Sequence, residues 1–171
     1  MNIKTTEGLK AAGIVYADDE AIRGFFDQFR FLSNFHVSPC HYNDHCYMST
    51  EHAYMAQKAT NREDMVYIAT SPNPIEARRR GKTIKLREDW DDIRLDVMYK
   101  ANLSKYKDPI MRRRLQQTGN RYLEETNWWN DKFWGVCNGQ GQNNLGKIIM
   151  RVRYEMGLSD KIVQLRPDWK I

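Results

Sequence analysis

The chain has 171 residues and a mass of 20.3 kDa, 41% of them hydrophobic and 29% charged, which excludes a disordered chain and a small disulfide-stapled one. No apolar run approaches the ~18 residues of a membrane span, since Lys147 interrupts even residues 145–150, and the N-terminus leads into no hydrophobic signal segment. A net charge of +5 and a pI near 9.1 favour anionic partners without selecting among them, and three cysteines cannot pair completely, so the expected address is cytoplasmic.

Residues 1–20 are polar and aperiodic and read as a peripheral segment. Phe25, Phe26, Phe29 and Phe31 suggest a strand, as do residues 41–47, where Asn43 and Asp44 supply a turn. Ser49 or Thr50 can cap a helix over 51–59 that is rich in helix formers. Asn73 and Pro74 open another, which Gly81 can end. Residues 87–107 place Ile93, Val97, Met98 and Ala101 on one face, with Asp89, Asp91 and Asp92 near the start, where the helix dipole favours negative charge. Asp108 and Pro109 begin a short helix running to Gly119, and 122–125 reads as a strand. Asn143 or Asn144 precedes Leu145, Ile148, Ile149, Val152 and Met156 at helical spacing, with Gly157 as the stop. Residues 161–165 form a last strand candidate. The fold predicted is α+β: a single compact, mostly helical domain over 21–158 with a few short strands, followed by a tail over 159–171.

Several clusters carry polar chemistry. Glu51, Met55 and Lys58 fall on one helical stripe with Tyr54 beside it, so a carboxylate and an ammonium can face one cavity. The alternative is an acid placed for the helix dipole and a solvated lysine. Three of the five tryptophans, Trp128, Trp129 and Trp134, lie close to Asp131, which suits stacking of a heterocycle or a buried core corner equally well. Gly135, Gly139, Gly141 and Gly146 with Asn138, Asn143 and Asn144 form a flexible loop entering a helix N-terminus, a natural anion receptor. Arg78–Arg80 and Arg112–Arg114 are either solvated helix faces or anion contacts, and neither interleaves the aromatics expected of a nucleic-acid surface. Cys40, His41, His45 and Cys46 invite a zinc reading, but adjacent residues of a strand point to opposite faces, so no metal site is expected there.

The ordered set of motifs resembles the NADAR family, the YbiA-like N-glycosidases. It comprises Phe31-Leu32-Ser33-Asn34-Phe35, then Ser49-Thr50-Glu51-His52-Ala53-Tyr54-Met55-Ala56-Gln57-Lys58. Ala77-Arg78-Arg79-Arg80-Gly81-Lys82, Asp89-Trp90 and Asn130-Asp131-Lys132-Phe133-Trp134-Gly135 follow, before Gly141-Gln142-Asn143-Asn144-Leu145-Gly146 and Met150-Arg151-Val152-Arg153. The chain departs from the family pattern at Val136-Cys137, where a more glycine-rich continuation is usual.

The resemblance implies a small α+β enzyme that hydrolyses the C1′–N bond of a phosphorylated ribosyl-base. Phosphoribosylamino pyrimidine intermediates of riboflavin biosynthesis are one such substrate class. The alternatives it leaves are a glycosidase releasing ADP-ribose from ADP-ribosylated guanine, or a non-catalytic ADP-ribose-binding module. Nucleic acid enters only as an ADP-ribosylated substrate, and neither membrane, cofactor nor metal is implied. In this scheme Glu51 stabilises the ribosyl cation or acts as general base, and Asp131 positions water or the ribose hydroxyls. Trp90 and Trp134 wall the heterocycle, and Asn34 and Gly135 line the substrate site. Lys58 either holds the phosphate, the preferred role, or attacks a ring-opened sugar as a Schiff-base lysine. Arg79, Lys82 and the helix start at Asn143 are further phosphate contacts.

Overall fold

The structure, a computed structural model, describes residues 4–163. In chain order its elements are α1 (Thr6–Ala11), β1 (Tyr16–Ala17), β2 (Ala21–Arg23), a 3₁₀ helix (Asp27–Leu32), β3 (Val37–Tyr42) and β4 (His45–Ser49). Then come α2 (Thr50–Ala56), α3 (Arg62–Ala69), α4 (Pro74–Arg80), α5 (Trp90–Lys105) and α6 (Pro109–Gln116). The last are β5 (Tyr122–Glu124), β6 (Thr126–Asn127), β7 (Val136–Cys137) and α7 (Asn144–Glu155). The fold mixes helices with short strands, as predicted. No helix among the described residues is long and apolar enough to cross a membrane.

Contacts divide the described residues into two units, 4–33 with 113–163, and 34–112. In the first, β1, β2 and β5 form a sheet in that order, antiparallel then parallel, and β6 pairs in parallel with β7. Ile22, Leu32, Leu123, Leu145, Ile148, Ile149 and Val152 are buried there. Buried Arg153 bonds Thr118 Oγ1 at 2.7 Å and the Arg121 carbonyl at 2.8 Å, which offsets the cost of placing a guanidinium inside. The N-terminal stretch is less irregular than its composition suggests. Thr5 Oγ1 accepts from Gly8 N to cap α1, Leu9 and Val15 are buried, and β1 pairs with β2.

The phenylalanine run is not a strand. The strand lies just before it at β2, and Asp27, at φ +47°, turns the chain into a 3₁₀ helix closed by Phe29 N to Phe26 O. Period-2 reasoning fails because Phe26 and Phe29, three residues apart, have the spacing of a tight helix, which the 29/31 alternation hides.

In the second unit, β3 and β4 form the hairpin expected from 41–47, with Asn43 and Asp44 both at positive φ, the turn geometry whose twist matches the strands. α2 packs on α3, α4, α5 and the hairpin. Side-chain caps start its helices where the sequence suggests: Ser49 Oγ accepts from His52 N, and Asn73 Oδ1 from Glu76 N ahead of Pro74. Asp108 Oδ1 likewise accepts from Ile110 N and Met111 N as α6 begins. α2 ends at Ala56 rather than Ala59: Lys58 N and Ala59 N bond the carbonyls of Met55 and Ala56, so the last turn tightens to 3₁₀ and Lys58 leaves the helical stripe. Helix α3 was not foreseen, because Ile68 is its one fully buried residue and Val66 and Tyr67 are exposed. Of the C-terminal strand candidate, 161–163 is irregular and 164–165 lie outside the described residues.

Candidate functional site

The second unit gathers charge around the start of α5 and the two ends of α2. Glu51 stands in the first turn of α2 with 5% of its surface exposed, and its N–H donates to the Asn34 carbonyl at 3.1 Å. Asn34 is in turn fixed on α5: its Nδ2 donates to Met98 Sδ at 3.1 Å and its Oδ1 accepts from Asn102 Nδ2 at 3.4 Å. Its amide is thereby occupied by protein partners, so Asn34 braces Glu51.

Lys58 follows the end of α2. Its Nζ lies 5.5 Å from the ring centre of Tyr54 and 5.5 Å from that of Trp90, rings that themselves meet at 5.0 Å. Tyr54 and Trp90 are both buried, so the ammonium is half-buried against two π-faces. Burial lowers the Lys58 pKa; Glu51 opposes that shift, and Arg78, Lys82 and Arg94 reinforce it. One carboxylate and three further cations thus act on the Lys58 ammonium through space. Among them Arg94 follows Trp90 by one helical turn, on the same face of α5.

The arginine triplet divides its labour. Arg79 is exposed and grips Glu76 with two bonds, at 2.8 and 2.6 Å, which hold the Glu76 carboxyl down to about 2. Arg80 bonds Glu76 at 3.0 Å and the Tyr67 carbonyl at 2.6 Å. Arg78 instead lies 5.8 Å from the Phe35 ring centre and acts on Lys58. The arginine directed at the charged cluster is therefore Arg78, not Arg79, a distinction that three adjacent arginines cannot express.

The loop residues of the first unit serve mostly to hold backbone. Asp131 Oδ1 accepts from Phe133 N at 3.1 Å and Trp134 N at 2.9 Å, while its own N–H and C=O are held by the Asn127 side chain. Trp134 packs edge-on against Phe133 at 4.8 Å. Trp128 stacks on Phe26 at 5.6 Å and meets Trp129 edge-on at 4.9 Å, leaving Trp129 exposed. Gly135 is glycine because a Cβ there would stand 2.2 Å from the Glu125 carbonyl and 2.7 Å from Asn127 Nδ2.

The expectation for Asn143 needs correction. Its Nδ2 donates to Tyr122 Oη at 2.9 Å and Leu123 O at 2.8 Å, and its Oδ1 accepts from Glu125 N at 3.0 Å. The N–H groups of Asn143, Asn144 and Leu145 reach the carbonyls of Gly135, Phe133 and Trp134. The loop folds its own carbonyls onto the start of α7, so these donors are not presented to a phosphate.

The cysteine–histidine cluster separates as strand alternation requires. Cys40 is buried, donates to the Ala101 carbonyl at 3.3 Å, and has its thiol pushed up to about 12 by burial, whereas His41 and Cys46 are exposed. Two open cavities of about 520 and 590 Å³ on this unit have other linings, the first including His45, Arg62 and Arg87, the second His41, Lys100 and Lys107.

The sequence profile of the NADAR domain matches residues 16–157. The chain is 36% identical over 132 residues to the N-glycosidase Npun_R5314 of Nostoc punctiforme, covering 73% of this chain and 84% of that one. It is 32% identical over 130 residues to the riboflavin biosynthesis protein VVA0006 of Vibrio vulnificus, spanning 35% of the latter's length. The NMR structure of the Escherichia coli protein YbiA superposes with a TM-score of 0.72 at 27% identity, covering 85% of this chain and 89% of that one.

Proposed function

Because this chain belongs to the NADAR family, we propose that it is an N-glycosidase hydrolysing the C1′–N bond of a phosphorylated ribosyl-base, with the Glu51–Lys58 cluster as its chemical centre. The observation that carries this reading is a desolvated amine that feels the field of one buried carboxylate and of Arg78, Lys82 and Arg94. Two similar proteins bear names that point the same way, one an N-glycosidase and one a riboflavin biosynthesis protein.

Cleaving the bond requires positive charge to develop at C1′ and a proton to reach the leaving nitrogen. Glu51 stabilises that charge and then deprotonates the attacking water. Arg78, Lys82 and Arg94 take the phosphate, with the arginines able to offer paired N–H donors. That division leaves Lys58 for chemistry, because an amine whose pKa is lowered by burial is more often neutral and nucleophilic. Phosphate holding, the role the family resemblance favours for Lys58, is the task such desolvation suits least.

In the resulting scheme a ribosylamine opens to an imine at C1′, and the neutral Lys58 amine adds to that carbon. The base departs as its amine, taking up a proton, and leaves a Lys58–C1′ imine. One water, activated at Glu51, hydrolyses it to the sugar aldehyde and the free lysine. Trp90, buried beside the Lys58 amine, supplies an aromatic wall.

The test is incubation with phosphoribosylamino pyrimidines and with ADP-ribosylated guanine, with products identified by mass and borohydride added in parallel. The reading expects released base and a reduced sugar adduct on the peptide carrying Lys58. Full turnover with no adduct removes Lys58 as nucleophile, and release from the ADP-ribosylated substrate alone replaces the substrate class.

A further inference from the structure

The chemical scheme leaves one buried titratable group unused, and it sits next to Glu51 in the chain. His52 is completely buried, as is Ser49, and Ser71 is 1% exposed. The imidazole bridges two segments: Nδ1 lies 2.8 Å from Ser49 Oγ, and Nε2 lies 3.1 Å from the Ser71 carbonyl. A carbonyl can only accept, so Nε2 carries the proton and Nδ1 is the acceptor. The Ser49 hydroxyl then donates to Nδ1, while its oxygen accepts the His52 N–H that starts α2. Every polar atom of the ring has a partner, and in only one tautomer.

The two ends of this bridge lead to Glu51 and to two of the cluster's cations, Arg78 and Lys82. Ser49 is the cap of the helix turn that bears Glu51. Ser71 lies just ahead of Asn73, the cap of α4, and α4 carries Arg78 and leads into Lys82. A second tie between the same segments lies at Gly81, where a Cβ would stand 2.7 Å from Met55 Sδ of α2. The segments that hold the carboxylate and the phosphate cations are thus clamped together by one neutral imidazole and one glycine contact.

We propose that His52 is a positioning residue: through Ser49 and Ser71 it sets where the Glu51 carboxylate stands relative to the cations of α4. This rests on the glycosidase reading of Glu51, but concerns a residue that touches neither substrate nor water.

The test compares Ser49→Ala, His52→Leu and His52→Gln with the wild type, each checked for an intact fold by its NMR spectrum. Glutamine is the conservative variant, because its amide nitrogen can reach the Ser71 carbonyl as Nε2 does. A carboxylate displaced by a fraction of an ångström predicts kcat lower by about 10-fold or more in Ser49→Ala and His52→Leu, KM within about twofold, and partial recovery in His52→Gln. Wild-type kcat in folded Ser49→Ala or His52→Leu overturns the proposal, as does a rise in KM alone. If His52→Leu does not fold, Ser49→Ala decides. A wild-type protein that releases no base from any substrate overturns the glycosidase reading instead. The carboxyl ¹³C titration of Glu51 then still decides the positioning claim: a midpoint moved in Ser49→Ala supports it, and an unmoved one overturns it.

Discussion

The Glu51–Lys58 cluster and the Asp131 loop are both built from motif residues, yet they treat their polar groups differently. In the loop, Asp131, Asn127 and Asn143 give their side chains to backbone N–H and C=O groups, and the start of α7 is covered by loop carbonyls. In the cluster, a carboxylate and three cations act through space on Lys58, which is itself desolvated. Both arrangements are costly to build, and the difference lies in what the cost secures. The loop secures a shape, since its polar side chains are spent on backbone groups. In the proposed function the cluster would secure reactivity, since partly desolvated charges are the kind that move pKa values toward working pH.

That contrast can be broken by substitution. Lys58→Arg keeps the charge but removes an amine able to deprotonate, so kcat should fall by roughly 10³-fold with the fold intact, read from base release. Asn143→Ala strips partners from the part-buried Glu125 N–H and the buried Leu123 carbonyl and should cost about 2–3 kcal/mol in urea unfolding. A loss as large in activity as in stability, with the fold retained, would move Asn143 back among the substrate contacts.

The clamp at His52 sharpens the comparison through pH. Burial lowers its pKa, so the unfolded chain takes up the proton first as pH falls, and the native state loses stability from about 6.5 downward. The ring faces only a hydroxyl and a carbonyl, so no carboxylate offsets that loss. Urea midpoints at pH 7.5 and pH 5 (~1 pH unit or more either side of the free-imidazole value) should differ in wild type and differ less in His52→Gln. The smallest effect is expected at Arg79→Ala, within about twofold of wild type in kcat/KM, because Arg79 is exposed and spent on Glu76. Arg78→Ala should raise KM well beyond that.

Sequence reading succeeded where the cause of a structure is local. Ser49, Asn73 and Asp108 cap their helices through atoms two or three residues away, and the turn at Asn43–Asp44 needs only residues tolerant of positive φ. It went wrong where distant partners decide. Arg78 is distinguished from Arg79 by Phe35 and by Glu76, and Arg94 joins the cluster because α5 packs on α2. Asn143 looked like an anion-binding helix start until the carbonyls of residues 133–135 closed over it. Nothing in a helix pattern reveals which outside group will satisfy its end.

The central claim is that Glu51 does chemistry, and one nearly isosteric change tests it. In Glu51→Gln, with its fold verified by NMR, base release from a phosphoribosylamino pyrimidine should drop by about 10²-fold or more at unchanged substrate affinity. Undiminished release by that folded variant would contradict the account.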